Sequence, residues 1–439
     1  MSRLPSIATE ADGSTILAGL EAQPGGRELL QMGAEGADVA LVGGAVRDLL
    51  LGSSPRELDV VVADDAAAFA AELAARVSSA VGDSAEVAVH ERFNTAVVQW
   101  PAGRIDVAER RAESYPAPGA LPEVRPGSLE DDLARRDFTV NAIAVPLGGA
   151  DRGAVLCAEH ALEDLRAARL RVLHEGSFRD DPTRLLRLAR YRTRLGFEIE
   201  PDTARLATAA LDGGALDTVS RPRLGAELRL ALGEVDPVAP FACLRDLGAL
   251  VEIDARLKLD EQLTRRALAL LPSDGHPEVL VMASLLHAAA AVTAGTVAGT
   301  ESEGGIAALL DALEFIAAVR ERILASASGM QGLATAIART ARPSELHALL
   351  CAHTPEAIAL GAAAVRGPDA NTVELRVREW FDTLRAVRLQ ITGQDLIDAG
   401  IAPGPELGAR LAAALAARLD GELADGPAAE LDVALRDLT

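Results

Sequence analysis

Residues 41–65 read LVGGAVRDLLLGSSPRELDVVVADD. An apolar strand runs into a glycine pair, a short apolar helix follows, and a second apolar strand begins with two carboxylates, Glu57 and Asp59, one residue apart. Residues two apart on a strand point the same way, so these acids share a face. Like charges that close are costly unless a cation lies between them. Oxygen ligands of this kind suit Mg²⁺, which takes one or two protein carboxylates and completes its shell with water and substrate phosphate. Taken alone, the pair reads more plainly as two solvated acids at the start of a strand. The preceding Gly43 and Gly44 alter the balance. Glycines between strand and helix let backbone N–H groups and a helix N-terminus approach phosphate oxygens, although Gly-Gly by itself marks only a turn.

A third acid lies further on. In GRIDVAER, Asp106 alternates with the apolar Ile105 and Val107. If its strand neighbours the first, three carboxylates converge, as two-metal phosphoryl or nucleotidyl transfer requires. The runs VALVG, LDVVVA, AEVAVH, TAVVQW, RIDVA and NAIAVPL read as strands, and DLLLG and AAAFAAELAARVSSA as helices. Together they predict one mixed α/β domain. The Pro-rich stretch ESYPAPGALPEVRPGSLEDDL is too long for a tight turn and reads as an excursion ordered by what it covers. Beyond Asp151 the strand signal fades. ALEDLRAARLRVL, DPTRLLRLARYRTRLG, DTARLATAALDG, SRPRLGAELRLALG and APFACLRDLGALVEI are helical in period, with Pro182 near a helix start. TAGTVAGTESEGG, 293–305, reads as a loop, and VRGPDANT, 365–372, as a separator before a last helical unit.

At 439 residues the chain exceeds one ordinary core, so several domains are expected. Aromatics are only 3%, so packing rests on Leu, Ala and Val, which favours helices. With 43 basic against 65 acidic residues the net charge is −22, so any nucleic-acid partner must be met by a local patch. Lys258 is the only lysine. Cys157, Cys243 and Cys351 lie far apart with no CxxC, which argues against a disulfide framework or a cysteine-rich zinc site. No stretch of about 18 apolar residues is present, so no membrane is expected. With no secretory signal visible, a reduced, cytoplasmic protein is the expectation.

These segments, in this order, resemble class II tRNA nucleotidyltransferases, the CCA-adding enzymes, and bacterial poly(A) polymerases. GGAVRDLLLG with ELDVVV is similar to the head signature. HERFNTAVV and RIDVAERRAESY resemble the segment bearing the third carboxylate, LEDDLARRDFTVNAIAV the ribose-recognition motif, and SFRDDPTRLLRLARYRTRLGFEIEPDT the base-selecting helix of the neck. SRPRLGAEL, ITGQDLIDAGIAPGPELG and LDGEL are similar to later motifs, so the likeness covers about 39–250 and 391–423. The resemblance implies an α/β head with a mixed-sheet nucleotidyltransferase fold, followed by all-α neck, body and tail. The boundaries expected are a 1–30 extension, a 31–150 head, a 151–235 neck that selects nucleotides and binds RNA, a 236–370 body and a 371–439 tRNA-binding tail. It implies addition of CMP and AMP, from CTP and ATP, to the 3′ end of tRNA with two Mg²⁺, and no stable protein partner. Glu57, Asp59 and Asp106 would be the catalytic metal ligands. Gly43 and Gly44, with Arg47 and Asp48, would receive the triphosphate. Arg136, Asp137 and Asn141 would read the ribose. Asp181 and Arg184 would select the base, with Arg187 and Arg190 continuing that helix face. A carboxylate accepting from an exocyclic amine and an arginine fork donating to a ring nitrogen could serve both cytosine and adenine. An ordinary surface ion pair is the plainer reading of the same spacing.

Several residues depart from the family pattern. Glu57 stands where Asp is usual, Asp180 where Glu is common, Asn94 where Gly is common, and Glu109 and Arg110 replace a frequent Thr and a smaller residue. Nine arginines between Arg166 and Arg194, against Glu175, Asp180 and Asp181, form a basic island suited to a nucleotide and acceptor-end cleft. His287 lacks the partners of a phosphohydrolase site and reads as a packed or capping histidine. Narrower alternatives are A-adding, CC-adding or poly(A) activity; a catalytically weak RNA-binding protein is the alternative of another class.

Overall fold

The computed structural model describes residues 10–90, 94–295, 302–330 and 332–436. Residues 91–93 of the HERFNTAVV segment and 296–301 of the expected 293–305 loop lie outside them. The chain divides into two compact units, Met1–Ser220 and Arg221–Thr439. The division falls inside the 151–235 segment.

The first unit opens with helices α1 (Glu10–Glu21) and α2 (Gly26–Ala34), whose Ile16, Leu20 and Leu29 are fully buried. This segment is therefore part of the domain's core. Next come β1 (Val39–Val42), α3 (Gly44–Leu50), β2 (Leu58–Val62) and α4 (Ala66–Val81). Asp65 caps α4, accepting from Ala68 N–H at 2.9 Å, and Gly82 ends it in the left-handed region. Strands β3 (Glu86–His90), β4 (Thr95–Trp100) and β5 (Gly103–Glu109) follow. Further along are β6 (Arg111–Ser114), β7 (Glu123–Pro126), α5 (Leu129–Ala134), a 3₁₀ turn at Thr139–Asn141, β8 (Ile143–Pro146) and β9 (Leu156–Cys157). The seven-stranded sheet has the order β3-β4-β5-β2-β1-β8-β9. Its β2–β5 pair is parallel and its other pairs are antiparallel, which is the mixed sheet expected.

One face of the sheet positions the site. Ala40, Val42, Val61 and Ala144 pack with Leu129 and Leu133 of α5. Val61 and Asp59 alternate onto the same face, so α5 covers the sheet just beyond the acid. A reciprocal capping box between Ser128 and Asp131 starts α5.

Three expectations need correction. The Pro-rich excursion contains a β-hairpin, β6 with β7, which pairs Arg111 with Pro126 and Ser114 with Glu123. The stretch ALEDLRAARLRVL is helical only over α6 (Ala161–Arg166). It then turns through Ala168, at φ 51°, into β10 (Arg169–Leu170), which pairs in parallel with β11 (Glu198–Ile199). The 151–235 segment is thus not wholly helical. APFACLRDLGALVEI is two helices, Ala239–Asp246 and Ala249–Ile253, separated by Gly248 at φ 80°. Elsewhere the pattern holds: α7 (Ser177–Asp180) leads into α8 (Thr183–Leu195), which Pro182 precedes and Gly196 ends, and α9 (Pro201–Asp212) follows.

The described residues of the second unit are helical. Buried carboxylates anchor two of its regions. Glu356 takes Arg322 at 3.0 and 3.1 Å and His276 N–H at 2.8 Å. Glu430 takes the Gln390 and Ile391 N–H groups beside a small apolar core of Ile391, Leu396, Ala414 and Ala434. His287 Nδ1 lies 2.6 Å from the Ser284 carbonyl, one turn back, as a packed histidine should. The three cysteines are free, and no helix among the described residues is long and apolar enough to cross a membrane.

Candidate active site

The parallel β2–β5 register makes Asp59 and Asp106 direct Cα partners. Side chains in register on neighbouring strands lie on one face, and Glu57 joins that face from two residues before Asp59. Carboxylate oxygens of Glu57, Asp59 and Asp106 all lie within 4.8 Å of one another. Leu58, Val60, Ile105 and Val107 alternate with them into the opposite core. The three acids thus sit on a rigid floor, as the sequence led us to expect. Burial first, then the Glu57 charge, pushes the Asp59 carboxyl up to about 7; Asp106 adds to this, and Arg136 and Arg104 oppose it. Three hard, crowded oxygen donors of this kind fit a divalent cation, which would relieve their repulsion.

Arg136 connects the acids to the glycine turn. Its guanidinium is held by the fully buried Asp132 at 2.9 and 3.3 Å, and its Nη1 donates to the Asn141 carbonyl at 3.4 Å. Burial opposes the charge on Asp132, but Arg136 and then Arg135 outweigh it and hold that carboxyl below the usual range. Gly43 sits at φ 69°, and a Cβ there would collide with Arg136 Nη1. Glycine is required at this position for both reasons. The Gly43 N–H itself donates to the Ile143 carbonyl at 2.9 Å. That amide therefore has a protein partner, and the charged group beside the turn is Arg136.

Arg47 and Asp48 do not line an open cradle. Arg47 is 1% exposed, ion-paired to Asp48 at 2.7 Å and donating to Asn141 Oδ1. From there Asn141 Nδ2 donates to Asp137 Oδ1 at 2.9 Å, and Arg187 grips Asp137 Oδ2 through Nε at 2.9 Å and Nη2 at 2.6 Å. Burial alone would raise the Asp137 carboxyl. The Arg187 charge and the Asn141 and Arg187 hydrogen bonds instead hold it down, to about 2. Tyr191 completes the network, with the guanidinium carbons of Arg47, Arg187 and Arg190 at 5.5, 5.5 and 5.3 Å from its ring centroid. Five of the expected residues, the buried Arg47, Asp48, Asp137 and Asn141 and the half-buried Arg187, therefore form one frame joining α3, the 3₁₀ turn and α8.

Asp181 and Arg184 are close together and each has protein partners. Arg184 is buried, donating to Ser177 Oγ at 2.6 Å and to the Arg135 carbonyl at 2.7 Å. Asp181 accepts from Thr183 N–H and Oγ at 3.1 and 2.6 Å. Arg190 is buried against Tyr191. Several arginines of the basic island are answered by acids of the chain: Arg171 pairs with the buried Asp164, Arg194 with Asp48, and Arg192 with the exposed Glu198. Arg166, Arg169 and Arg179 remain exposed. Net charge along a sequence does not register partners supplied by neighbouring elements.

Two of the family departures have local roles. Asn94, at φ 48°, donates to Glu109 at 2.7 Å and so links the start of β4 to the end of β5. Arg110 pairs with Asp38 at 3.0 Å, tying the end of β5 to the start of β1. The sequence reading missed Arg104, Asp132 and Tyr191. Arg104 had a visible signal, since it lies two residues before Asp106 and so shares its face. Asp132 had one too, at i−3 and i−4 from Arg135 and Arg136.

Comparison with known proteins adds what the chain is similar to. Residues 39–171, which contain the acids, the glycine turn and Arg136, match the poly A polymerase head domain. Among relatives, the A-adding tRNA nucleotidyltransferase of Geobacter sulfurreducens is 36% identical over 398 residues, covering 88% of this chain and 44% of that protein. The CC-adding tRNA nucleotidyltransferase of Deinococcus radiodurans is 38% identical over 241 residues, covering 54% of this chain and 62% of that one. The chain thus spans about half the length of these relatives. A solved CCA-adding enzyme in complex with ATP is 25% identical, with a TM-score of 0.74 over 95% of this chain and 97% of that one. The chain therefore follows the fold of that solved structure through nearly its whole length.

Proposed function

We propose that this protein is a template-independent nucleotidyltransferase that adds CMP and AMP, from CTP and ATP, to the 3′ end of tRNA. The observation that carries the proposal is the convergence of Glu57, Asp59 and Asp106 on one sheet face, beside Arg136. The three acids would hold Mg²⁺, two ions in this reading. Bound there, the metal supplies a more acidic attacking hydroxyl and charge neutralisation for the departing pyrophosphate.

The remaining work falls to the chain itself. Arg136, anchored by Asp132, offers a fixed fork to polyphosphate or ribose oxygens at the turn that Gly43 leaves open. The Arg47–Asn141–Asp137–Arg187 frame keeps that wall rigid while the nucleotide changes. Asp181 and Arg184 select the base by exchanging their Thr183, Ser177 and Arg135 partners for its Watson–Crick edge. Their present hydrogen bonds keep both groups satisfied until then.

A narrower reading, addition of the terminal A alone, is favoured by one observation: the relative matched over 398 residues is named A-adding. The test is incubation with tRNA ending at the discriminator base and with tRNA ending in CC, each with CTP, ATP or both, followed by sequencing of the products. CCA on the first substrate supports the full activity. Extension of the second only, by one A, supports the narrower one. No incorporation on either substrate with Mg²⁺ present refutes both.

A further inference from the structure

The acids of the site are not the only charges on their face of the sheet. Arg104 lies two residues before Asp106 on β5 and engages both of its carboxylate oxygens, Nε to Oδ1 at 2.7 Å and Nη2 to Oδ2 at 2.9 Å. The same Nε is 3.9 Å from Glu57 Oε2. Arg104 thus covers the outer two carboxylates with one guanidinium, while Asp59 lies deeper beside Arg136. A fork on both oxygens is the strong form of an arginine–carboxylate contact. It occupies lone pairs that a metal ion bound to Asp106 would need, and it places a positive charge within a few ångströms of any such ion.

We infer that Arg104 is a built-in counter-cation of the carboxylate triad, competing with a divalent ion for Asp106 and so setting the metal affinity of the nucleotide-free protein. This rests on the reading of Glu57, Asp59 and Asp106 as metal ligands. The side chain suits an exchange. It is 47% exposed, so it can swing toward solvent with little loss of packing, unlike Arg47, which is 1% exposed and fixed on Asp48. Its own strand carries it, so no other element has to move. While Arg104 is in place the triad is partly neutralised. A lone ion must displace it, whereas an ion arriving with a polyphosphate brings negative charge to which the freed guanidinium can turn. The protein would therefore take up metal together with nucleotide in preference to metal alone.

The experiment measures Mn²⁺ binding to the full chain without nucleotide, by the loss of the free-ion electron paramagnetic resonance signal, at fixed ionic strength. Wild type, Asp59→Asn, Arg104→Gln, Arg104→Lys and Arg152→Gln are compared; Arg152 is an exposed arginine outside the site and controls for net charge. The expected result is Asp59-dependent binding that Arg104→Gln tightens by about tenfold. Arg104→Lys, which keeps the charge and loses the fork, should tighten it less, and Arg152→Gln should stay within about twofold of wild type. Binding by Arg104→Gln equal to or weaker than wild type overturns the inference and leaves the metal site standing. An equal gain in Arg152→Gln also overturns it, since the effect would then be one of overall charge. Wild-type binding that survives Asp59→Asn overturns the metal-site reading itself and the inference with it.

Discussion

Asp59 and Asp106 are direct partners across β2 and β5, a parallel pair in a sheet whose other pairings are antiparallel. The chain reaches this register by crossing through α4, β3 and β4 before it returns alongside β2. The two carboxylates therefore share a face by construction. Their proximity is costly without a cation, as the elevated Asp59 carboxyl reports. Replacing either acid by Asn should lower the rate of nucleotide incorporation by at least about 100-fold, the loss expected from a displacement of about 1 Å at such a site. The fold should not suffer. An acid whose folded pKa lies near 7, above the ordinary 3.8, lowers stability increasingly as pH rises through that interval. Asp59→Asn removes this effect, so at pH 8 without divalent ions its melting temperature should equal or exceed that of wild type.

Glu57 stands where the resemblance leads one to expect Asp, and the geometry explains how the longer arm is used. Glu57 lies before the first residue of β2, outside the hydrogen-bonded ladder, yet its carboxylate comes within 4.8 Å of the other two. The extra methylene spans the distance that a strand residue would not need to cover. Glu57→Asp should therefore impair the enzyme, by about 10- to 100-fold in kcat/KM, because the shorter arm pulls one ligand back by about 1 Å. Equal or improved turnover in steady-state incorporation assays would show that the site is built for Asp.

The strand pattern and the acid pair were legible in the sequence because period-two alternation reports a face directly, and Glu57, Asp59 and Asp106 obey it. The β6–β7 hairpin was not, because RAES offers a single small apolar residue, Ala112, and EVRP is exposed throughout, with prolines between them. The partners of the arginine island were not legible for a related reason. Its charges are answered by Asp48, Asp137, Asp164 and Glu198, which lie elsewhere in the chain and become partners only through the fold. Motif positions such as Arg47 and Asn141 were found, but whether a motif residue faces ligand or supports one that does depends on burial, which the motif does not encode.

Gly43 offers a test that separates conformation from charge. Any side chain there meets two obstacles, the left-handed φ of 69° and the Arg136 guanidinium. The backbone term is on the order of 1–3 kcal/mol, as for other sparsely populated conformations, and displacement of Arg136 should weaken nucleotide binding as well. Gly43→Ala is expected to lower the melting temperature by a few degrees and to raise the KM for ATP more than it lowers kcat. An unchanged KM would mean that Arg136 does not contact the nucleotide.

The Asp137–Arg187 pair predicts the behaviour of the first unit in acid. Asp137 titrates near 2 in the folded protein against 3.8 ordinarily, so its contribution is complete above about pH 4 and is lost as pH falls through about 2. The shift corresponds to about 2 kcal/mol. Arg187→Met leaves the carboxylate buried without its counter-charge, and burial then drives its pKa upward. Such a broken pair costs about 3 kcal/mol or more near neutrality. The variant's deficit in melting temperature should therefore be largest near pH 7 and should narrow as pH falls toward 2, where the variant's Asp137 is already protonated and the wild type's begins to be. A deficit that stays constant across that range would assign the loss to packing around Tyr191 and not to the charge on Asp137.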